Sequence, residues 1–332
     1  LRRSSAASDV YKRQVYRQAV KAKAFDALRG LLPAASLSNV GIYGTGQAYE
    51  ALLLRMRSHP LPESRYYADL MLRELRKVIP SFLERVDRED RGVVWSEYLQ
   101  ETREDTADVV AALFPEGSIV DPSPTVRLVD FDPEGEVKMI ASMMYPHSTM
   151  SEDQLERRVA GMNHEDRMAV ARAYVGDRRN RRHKPGRALE RPFYRFDVLV
   201  DYGAFRDLQR HRMLSMDWQN LSPHHGYISS PLVNAAGMGP VYEEAMERSA
   251  ALYDLLVDDF PDQASYAINL AYKIRFNMNI NARSAMHLIE LRTTPQGHPS
   301  YREVGQEMHR LIAEEAGHTV ISEMMKFVDH TD

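Results

Sequence analysis

RHRMLSMDWQNLS, residues 210–222, sets two arginines around a histidine and places a serine three residues further on. Guanidinium groups fork onto phosphate or carboxylate oxygens, and a hydroxyl adds another donor. Arg210, Arg212 and Ser215 therefore make a candidate anion site, with His211 between the arginines. The same residues also read as a solvated helix end, since arginine and histidine are mostly found exposed. In the second half of the stretch, acidic, amide and hydroxyl groups alternate with apolar ones.

Working outward, FYRFDVLVDYG alternates like a strand, and AFRDLQRHRML reads as a helix or a helix end. Further upstream TVRLVDFD alternates too, whereas GEVKMIASMMY, EDQLERRVAGM and HEDRMAVARAYV have helical periodicity. SPHHGYISSPLVNAAGMGP reads as a long loop. Beyond it we expect three long helices: VYEEAMERSAALYDLLV, QASYAINLAYKIRF with its continuation, and YREVGQEMHRLIAEEAGHTVISEMMKFV. Towards the other end, VYRQAVKAKAFDALRGLL is a helix stopped by Gly30 and Pro33, SLSNVGIYGTGQ a loop, and QAYEALLLRMRS a second helix. ESRYYADLMLRELRKVIPSFLERV reads as a long amphipathic helix kinked at Pro80. Residues 87–124 are mixed, and the breakers PEG and DPSP set a boundary near residues 115–124. The chain opens on Leu1, and residues 1–14 lack apolar periodicity, so we set them aside as a non-native leader of an incomplete chain.

A second constellation is NARSAMHLIELR, residues 281–292. On a helix Asn281 and Arg292 lie about three turns apart on one face, while Arg283 and His287 share another. Such a helix could touch two ligands or two subunits; equally, His287 fills a packing gap and the arginines are solvated. RRNRRHKPGR, residues 178–187, is either a solvated basic loop or a lid for an anionic cofactor. His224 and His225 are adjacent, which rarely lets both reach one metal, and no HExxH spacing is present. GIYGTG, residues 41–46, lacks the order of a phosphate loop and reads as a turn. Met139, Met143, Met144, Met324 and Met325 read as core filler.

Composition narrows the classes. With 44% hydrophobic and 27% charged residues and a net charge of −4, the chain has an ordinary globular balance and no basic excess that would suggest nucleic acid. No apolar run approaches the roughly 20 residues a membrane helix needs, and no signal peptide is visible, so a cytoplasmic protein is expected. The absence of cysteine excludes disulfides, thiolate metal sites, cysteine-ligated iron–sulfur clusters and a thiol nucleophile.

One internal repeat emerges. Residues 46–76 echo residues 281–312: each is a helix ending in an arginine (Arg57, Arg292), then a proline-containing loop, then an amphipathic helix carrying a tyrosine. We read residues 15–118 as the C-terminal half of a first module and residues 124–332 as a complete second one. Gly46 and Ala48 stand where the second module has Asn281 and Arg283, so we expect the first to be a non-catalytic partner.

The two constellations together resemble the flavin-dependent thymidylate synthases (the ThyX type), whose signature is R-H-R-x-x-S-x-N-E-x-S-x-R. Arg210, His211, Arg212 and Ser215 match it. The family's second block, N-x-R, then His or Asn, then L-R, is matched by Asn281, Arg283, His287, Leu291 and Arg292. TVRLVDFDPEGEVKMIASMMY is similar to the family's opening strand and helix, and FYRFDVLV to the strand before its signature. The resemblance spans roughly residues 124–325 and implies an α/β (α+β) fold with an antiparallel sheet and long helices. It further implies a homotetramer with FAD at subunit interfaces; the first module, standing in for a neighbouring subunit, would lower this to a dimer of two-module chains. The implied reaction uses NADPH and methylenetetrahydrofolate to methylate the nucleotide dUMP, and needs no cysteine. By match, Arg210, His211, Arg212, Asn281, Arg283 and His287 would hold the cofactor. Arg210, Asp207, Asn220 and Arg292 would meet the substrate, and Arg292 and Ser215 would be the catalytic pair.

The chain also departs from the pattern. The signature's N-E is Asp217–Trp218, its second serine is Asn220 and its last arginine is Ser222. Asp207 replaces a glutamine, Ser265 stands where an arginine is expected, and Arg191 follows Glu190 in place of a histidine. Each lost arginine–phosphate contact is worth about 1.5–3 kcal/mol. Two such losses would weaken nucleotide binding by about a hundredfold or more. Three outcomes are therefore open: thymidylate synthesis, a flavoenzyme of the same fold with a changed substrate, or a structural protein.

Overall fold

The computed structural model describes residues 2–114 and 123–331. They fall into two compact units, one built from residues up to 34, 123–253 and 265 onward, the other from 35–114 and 254–264. Residues 15–34, assigned above to the first module, thus cluster with the larger unit. The boundary expected near residues 115–124 falls mainly on residues 115–122, outside the described residues.

In chain order, α1 (Arg2–Leu28) runs through the segment set aside as a leader. The smaller unit follows with α2 (Gly46–Arg57), α3 (Pro62–Leu75), α4 (Pro80–Leu83) and α5 (Val94–Leu113). The expected kink at Pro80 is a break: α3 stops at Leu75, and Pro80 opens α4, where its missing N–H costs nothing. Leu53, Ala68, Leu72, Leu83 and Val86 close a small core beneath these helices.

The larger unit continues with β1 (Val126–Phe131), α6 (Gly135–Met144), α7 (Glu152–Ala160), α8 (His164–Val175) and β2 (Phe193–Asp201). Next come α9 (Tyr202–Leu208), β3 (Leu214–Trp218), α10 (Pro231–Ala235), α11 (Gly239–Leu256), and α12 (Pro261–Ala264), which belongs with the smaller unit. The chain ends through β4 (Lys273–Asn281), α13 (Ala282–Arg292), α14 (Pro299–Glu314) and α15 (Thr319–Glu323). The four strands form one antiparallel sheet in the order β1-β2-β4-β3. The fold is thus the antiparallel sheet with helices that the resemblance implied.

Two of the three long closing helices need correcting. KIRFNMNIN is not the continuation of a helix but β4, because its apolar residues recur at every second position. Ile274, Phe276, Met278 and Ile280 face the core, leaving Arg275, Asn277 and Asn279 on the other face. The last expected helix is two: Gly317, with φ +69°, takes the left-handed turn that separates α14 from α15. β3 was not anticipated; it is short, lies at the sheet edge and pairs Ser215 with Asn279 and Asp217 with Asn277. Tyr194, Phe196, Phe276, Met139, Leu288 and Met308 are at most 2% exposed and form the core between the sheet and helices α13 and α14. Of the five methionines read as core filler, Met139, Met143, Met324 and Met325 are buried and Met144 is half-buried.

Candidate functional site

The site is built where α9 ends and α13 begins. Asn281 ends β4 in an extended conformation, and its side chain accepts from Ser284 N at 2.9 Å, which starts α13 at once. That cap fixes the helix phase and carries Arg283, His287 and Arg292 to one cleft of about 450 Å3. The cleft's opposite wall is the turn Arg210–Met213, between α9 and β3, and its rim is the basic loop that begins at Arg178. Met213 sits at φ +63° and is 74% exposed. A non-glycine residue in this region is strained, and such strain tends to gather at ligand sites.

Arg292 is held from three sides. Its Nε donates to His211 Nε2 at 2.9 Å, another nitrogen donates to the main-chain oxygen of Asp207, and its guanidinium lies 5.3 Å above the Tyr301 ring. Because His211 Nε2 accepts that bond, its proton belongs on Nδ1 and the ring is neutral. Burial, with Arg292 and His287 close by, lowers the His211 pKa to about 4. His287 packs edge-on against His211, with ring centroids 5.8 Å apart. Burial, then Lys184, Arg181 and Arg292, lowers its pKa as well. His287 Nδ1 is buried and has no hydrogen-bond partner among the described residues, although the ring lines the cleft.

The loop from Arg178 is anchored, not loose. Arg178 is 3% exposed and makes a forked ion pair with the fully buried Glu290, at 2.7 and 2.6 Å. It also donates to His183 O at 2.8 Å. Arg283 ties down the far end of the loop through Pro185 O and Glu190, both at 2.9 Å. These clamps leave Arg181 and Lys184 at the cleft without an ion-pair partner among the described residues. The basic loop therefore belongs to the site, and a purely solvated surface does not describe it.

Arg210, His211, Arg212, Arg283, His287 and Arg292 all line this one cleft, so the two faces expected for residues 281–292 converge. Asp207 lies under it, 3.6 Å from Arg292, 3.5 Å from Arg210 and 3.7 Å from Arg29. Besides Asp207, three expected site residues stand outside the lining, each for a local reason. Asn281 spends its side chain on the helix cap. Ser215 is carried onto the exposed face of β3, and Asn220 is exposed after that strand. Asp217 and Trp218 are likewise exposed, while Ser265 donates to Leu221 O at 2.8 Å and secures the loop after β3. Sequence reasoning missed Glu290 and Tyr301, and it took Arg178 only as part of the basic loop, not as its buried anchor. A glutamate inside the apolar run LIELR was the one available signal, since a buried carboxylate must find a cation.

No described helix is long and apolar enough to cross a membrane. Among the described residues no group of three or more histidine, aspartate or glutamate side chains could hold a metal ion. His225 instead meets Gln219 at 3.3 Å, and His224 packs on Tyr253.

Comparison with known proteins places this geometry in context. Residues 127–317, more than half of the chain, match the family model described as thymidylate synthase complementing protein. A UPF0159 protein of Chlamydia pneumoniae is 38% identical over 319 residues, covering 96% of this chain and 59% of the relative. A UPF0159 protein of Thermoplasma acidophilum is 30% identical over 326 residues, covering 96% and 62%. The chain thus spans about three-fifths of the length of the curated relatives it matches. Among solved structures, a UMP/dUMP methylase of Streptomyces cacaoi bound with 5-Br dUMP is similar at 18% identity and a TM-score of 0.46, over 60% of this chain and 94% of that one. The flavin dependent thymidylate synthase ThyX of Helicobacter pylori, complexed with FAD and dUMP, is similar at 18% identity and a TM-score of 0.44, over 60% and 99%.

Proposed function

Because the chain belongs to the thymidylate synthase complementing protein family, we propose that it works as an FAD-dependent, thymidylate synthase-like flavoenzyme. The reaction proposed is reductive methylation of dUMP to dTMP, with methylenetetrahydrofolate and NADPH as co-substrates. One observation carries the reading. The cleft lining holds cations from three separate segments, among them Arg181, Lys184, Arg212, Arg283 and Arg292, and no carboxylate. Such a lining selects a ligand with several negative oxygens, as the phosphates of FAD and dUMP provide. Its volume, about 450 Å3, lies in the range of small-molecule sites.

The residues present also suit a flavin. His287 Nδ1, buried and without a hydrogen-bond partner among the described residues, needs a polar partner, and the N–H and C=O edge of a flavin ring is one. Bound FAD would supply hydride transfer. The chain's own residues would bind and orient. Arg181, Lys184 and Arg212 would neutralise phosphate, while His287 would meet a ring edge. His211, kept neutral, holds Arg292 in a fixed orientation without adding charge. Asp207 steadies the same arginine from behind. Asn281 contributes by placing α13 rather than by contact.

A second reading, a flavoprotein of this fold with a changed and less anionic substrate, has its own support. Arg210 and Arg292 are both partly neutralised by Asp207, and Asp217 adds negative charge on β3. The absorption spectrum of the purified protein, repeated as dUMP is titrated in, separates the two. Flavin bands that shift with dUMP support the synthase. Bands indifferent to it support the changed substrate, and a colourless protein that does not take up added FAD refutes both.

A further inference from the structure

The smaller unit repeats part of the larger one down to its buried positions. Leu53 in α2 and Leu288 in α13 are both fully buried. Each helix ends in an arginine, followed by a buried hydroxyl that donates back into its own helix: Ser58 to Arg55 O at 3.0 Å, Thr293 to Ile289 O at 2.8 Å. The next helix in each case opens on a proline, Pro62 or Pro299. With Pro62 set against His298, the cap of α14, Ala68 and Leu72 answer to Val304 and Met308, all four of them buried.

Aligning Arg57 with Arg292 places Gln47, Glu50, Ala51, Leu54 and Arg55 where α13 has Ala282, Ala285, Met286, Ile289 and Glu290. All five α13 residues are buried. This helix packs against α14 and the turn at Arg187–Glu190, and Arg178 reaches both Met286 and Glu290. Their five counterparts in α2 line an open groove of about 380 Å3, together with Arg85, Arg91 and Trp95. One helix face is therefore buried in one unit, while in the other Glu50 and Leu54 are only half-buried and Gln47, Ala51 and Arg55 are exposed.

We propose that this face of α2 is the seat of a sheet-bearing half-module, the counterpart of residues 123–281. Charge defines the occupant further. Where α13 presents Glu290 to Arg178, α2 presents Arg55; Arg85 pairs with Glu50 at 3.1 Å and Arg91 with Asp90 at 3.7 Å, which leaves Arg55 without an ion-pair partner among the described residues. The occupant accordingly carries a carboxylate in the place of Arg178, an ion pair of reversed polarity. A source of the right size exists among the relatives. The 319 matched residues make 59% of the Chlamydia pneumoniae protein, and the part outside the match is longer than residues 123–281.

The chain has no cysteine, so Ala51→Cys adds a single thiol on the groove floor. In this chain we expect it to react with a maleimide as an exposed thiol does. In the whole Chlamydia pneumoniae relative, cleared of its own cysteines, the thiol at the aligned position reacts about tenfold more slowly or less, because it must wait for local opening. A thiol at the position of Tyr67, exposed on α3, reacts alike in both proteins. Reversing the charge at the position of Arg55 in the relative removes the protection. Equal rates at the Ala51 position in the two proteins overturn the proposal. So does protection in this chain that grows with its own concentration, which assigns the face to a second copy. Saturable quenching of Trp95 fluorescence by dUMP in a Trp218→Phe chain overturns it too, and assigns the groove to a small anion.

Discussion

Replacing Glu290 by glutamine removes the charge that holds Arg178, and with it the clamp on the basic loop. Both side chains are almost wholly inaccessible, at 3% and 0%, and the pair is forked at 2.7 and 2.6 Å. Breaking a buried pair from one side costs about 3–5 kcal/mol, because an uncompensated charge stays inside. Glutamine keeps one acceptor oxygen, and Arg178 retains the carbonyl of His183, so Glu290→Gln should cost about 3 kcal/mol. Removing both charges together, as in Arg178→Met with Glu290→Leu, leaves no stranded ion and should cost less than either single change. The chain has two tryptophans, Trp95 in the smaller unit and Trp218 in the larger, so urea unfolding followed by Trp218 in a Trp95→Phe background reports on the larger unit alone. A loss below about 1 kcal/mol in Glu290→Gln, or a double variant no better than the singles, refutes the argument. Arg181 and Lys184 are positioned by the same clamp, so dUMP affinity should fall along with stability.

Three further outcomes are expected. His211 titrates at about 4 when folded against about 6.5 when unfolded, so the unfolded chain takes up the proton first and stability falls as the pH drops below 6.5. By pH 5 the loss from His211 should reach at most about 2 kcal/mol; His211→Asn should flatten the urea midpoint against pH, and an unchanged slope would show that His211 does not set it. Arg181→Glu or Lys184→Glu should weaken dUMP or FAD binding by about tenfold or more, less so at high salt, as read by calorimetric titration; unaltered affinity removes the loop from the site. Met213→Gly relieves a left-handed backbone at an exposed position and should change stability by less than about 1 kcal/mol in either direction, whereas a larger loss would mean that the Met213 side chain holds the turn.

Period and capping made much of the fold legible. TVRLVDFD and FYRFDVLV alternate and are β1 and β2, and NARSAMHLIELR is a helix that starts where its asparagine can cap it. The β4 strand is legible too: KIRFNMNIN alternates strictly, although the preceding ASYAINLAY favours a helix by its composition. β3 was harder, being short and at an edge, with burial too slight to impose a pattern. The helix α5 lay inside a stretch read as mixed, because its exposed faces leave it without an apolar stripe.

The residue types of the site were settled by the sequence itself, since RHR and the block from Asn281 to Arg292 depend on local order. Which of those residues converge was decided only by the tertiary structure. Arg292 meets His211 across 81 positions, and Arg178 meets Glu290 across 112. Local order carries periodicity, caps and turns, which act within a few residues. Burial and charge pairing act through space, so the neutral His211, the clamped loop and the separation of Ser215 from the cleft arise only when the sheet closes under α13.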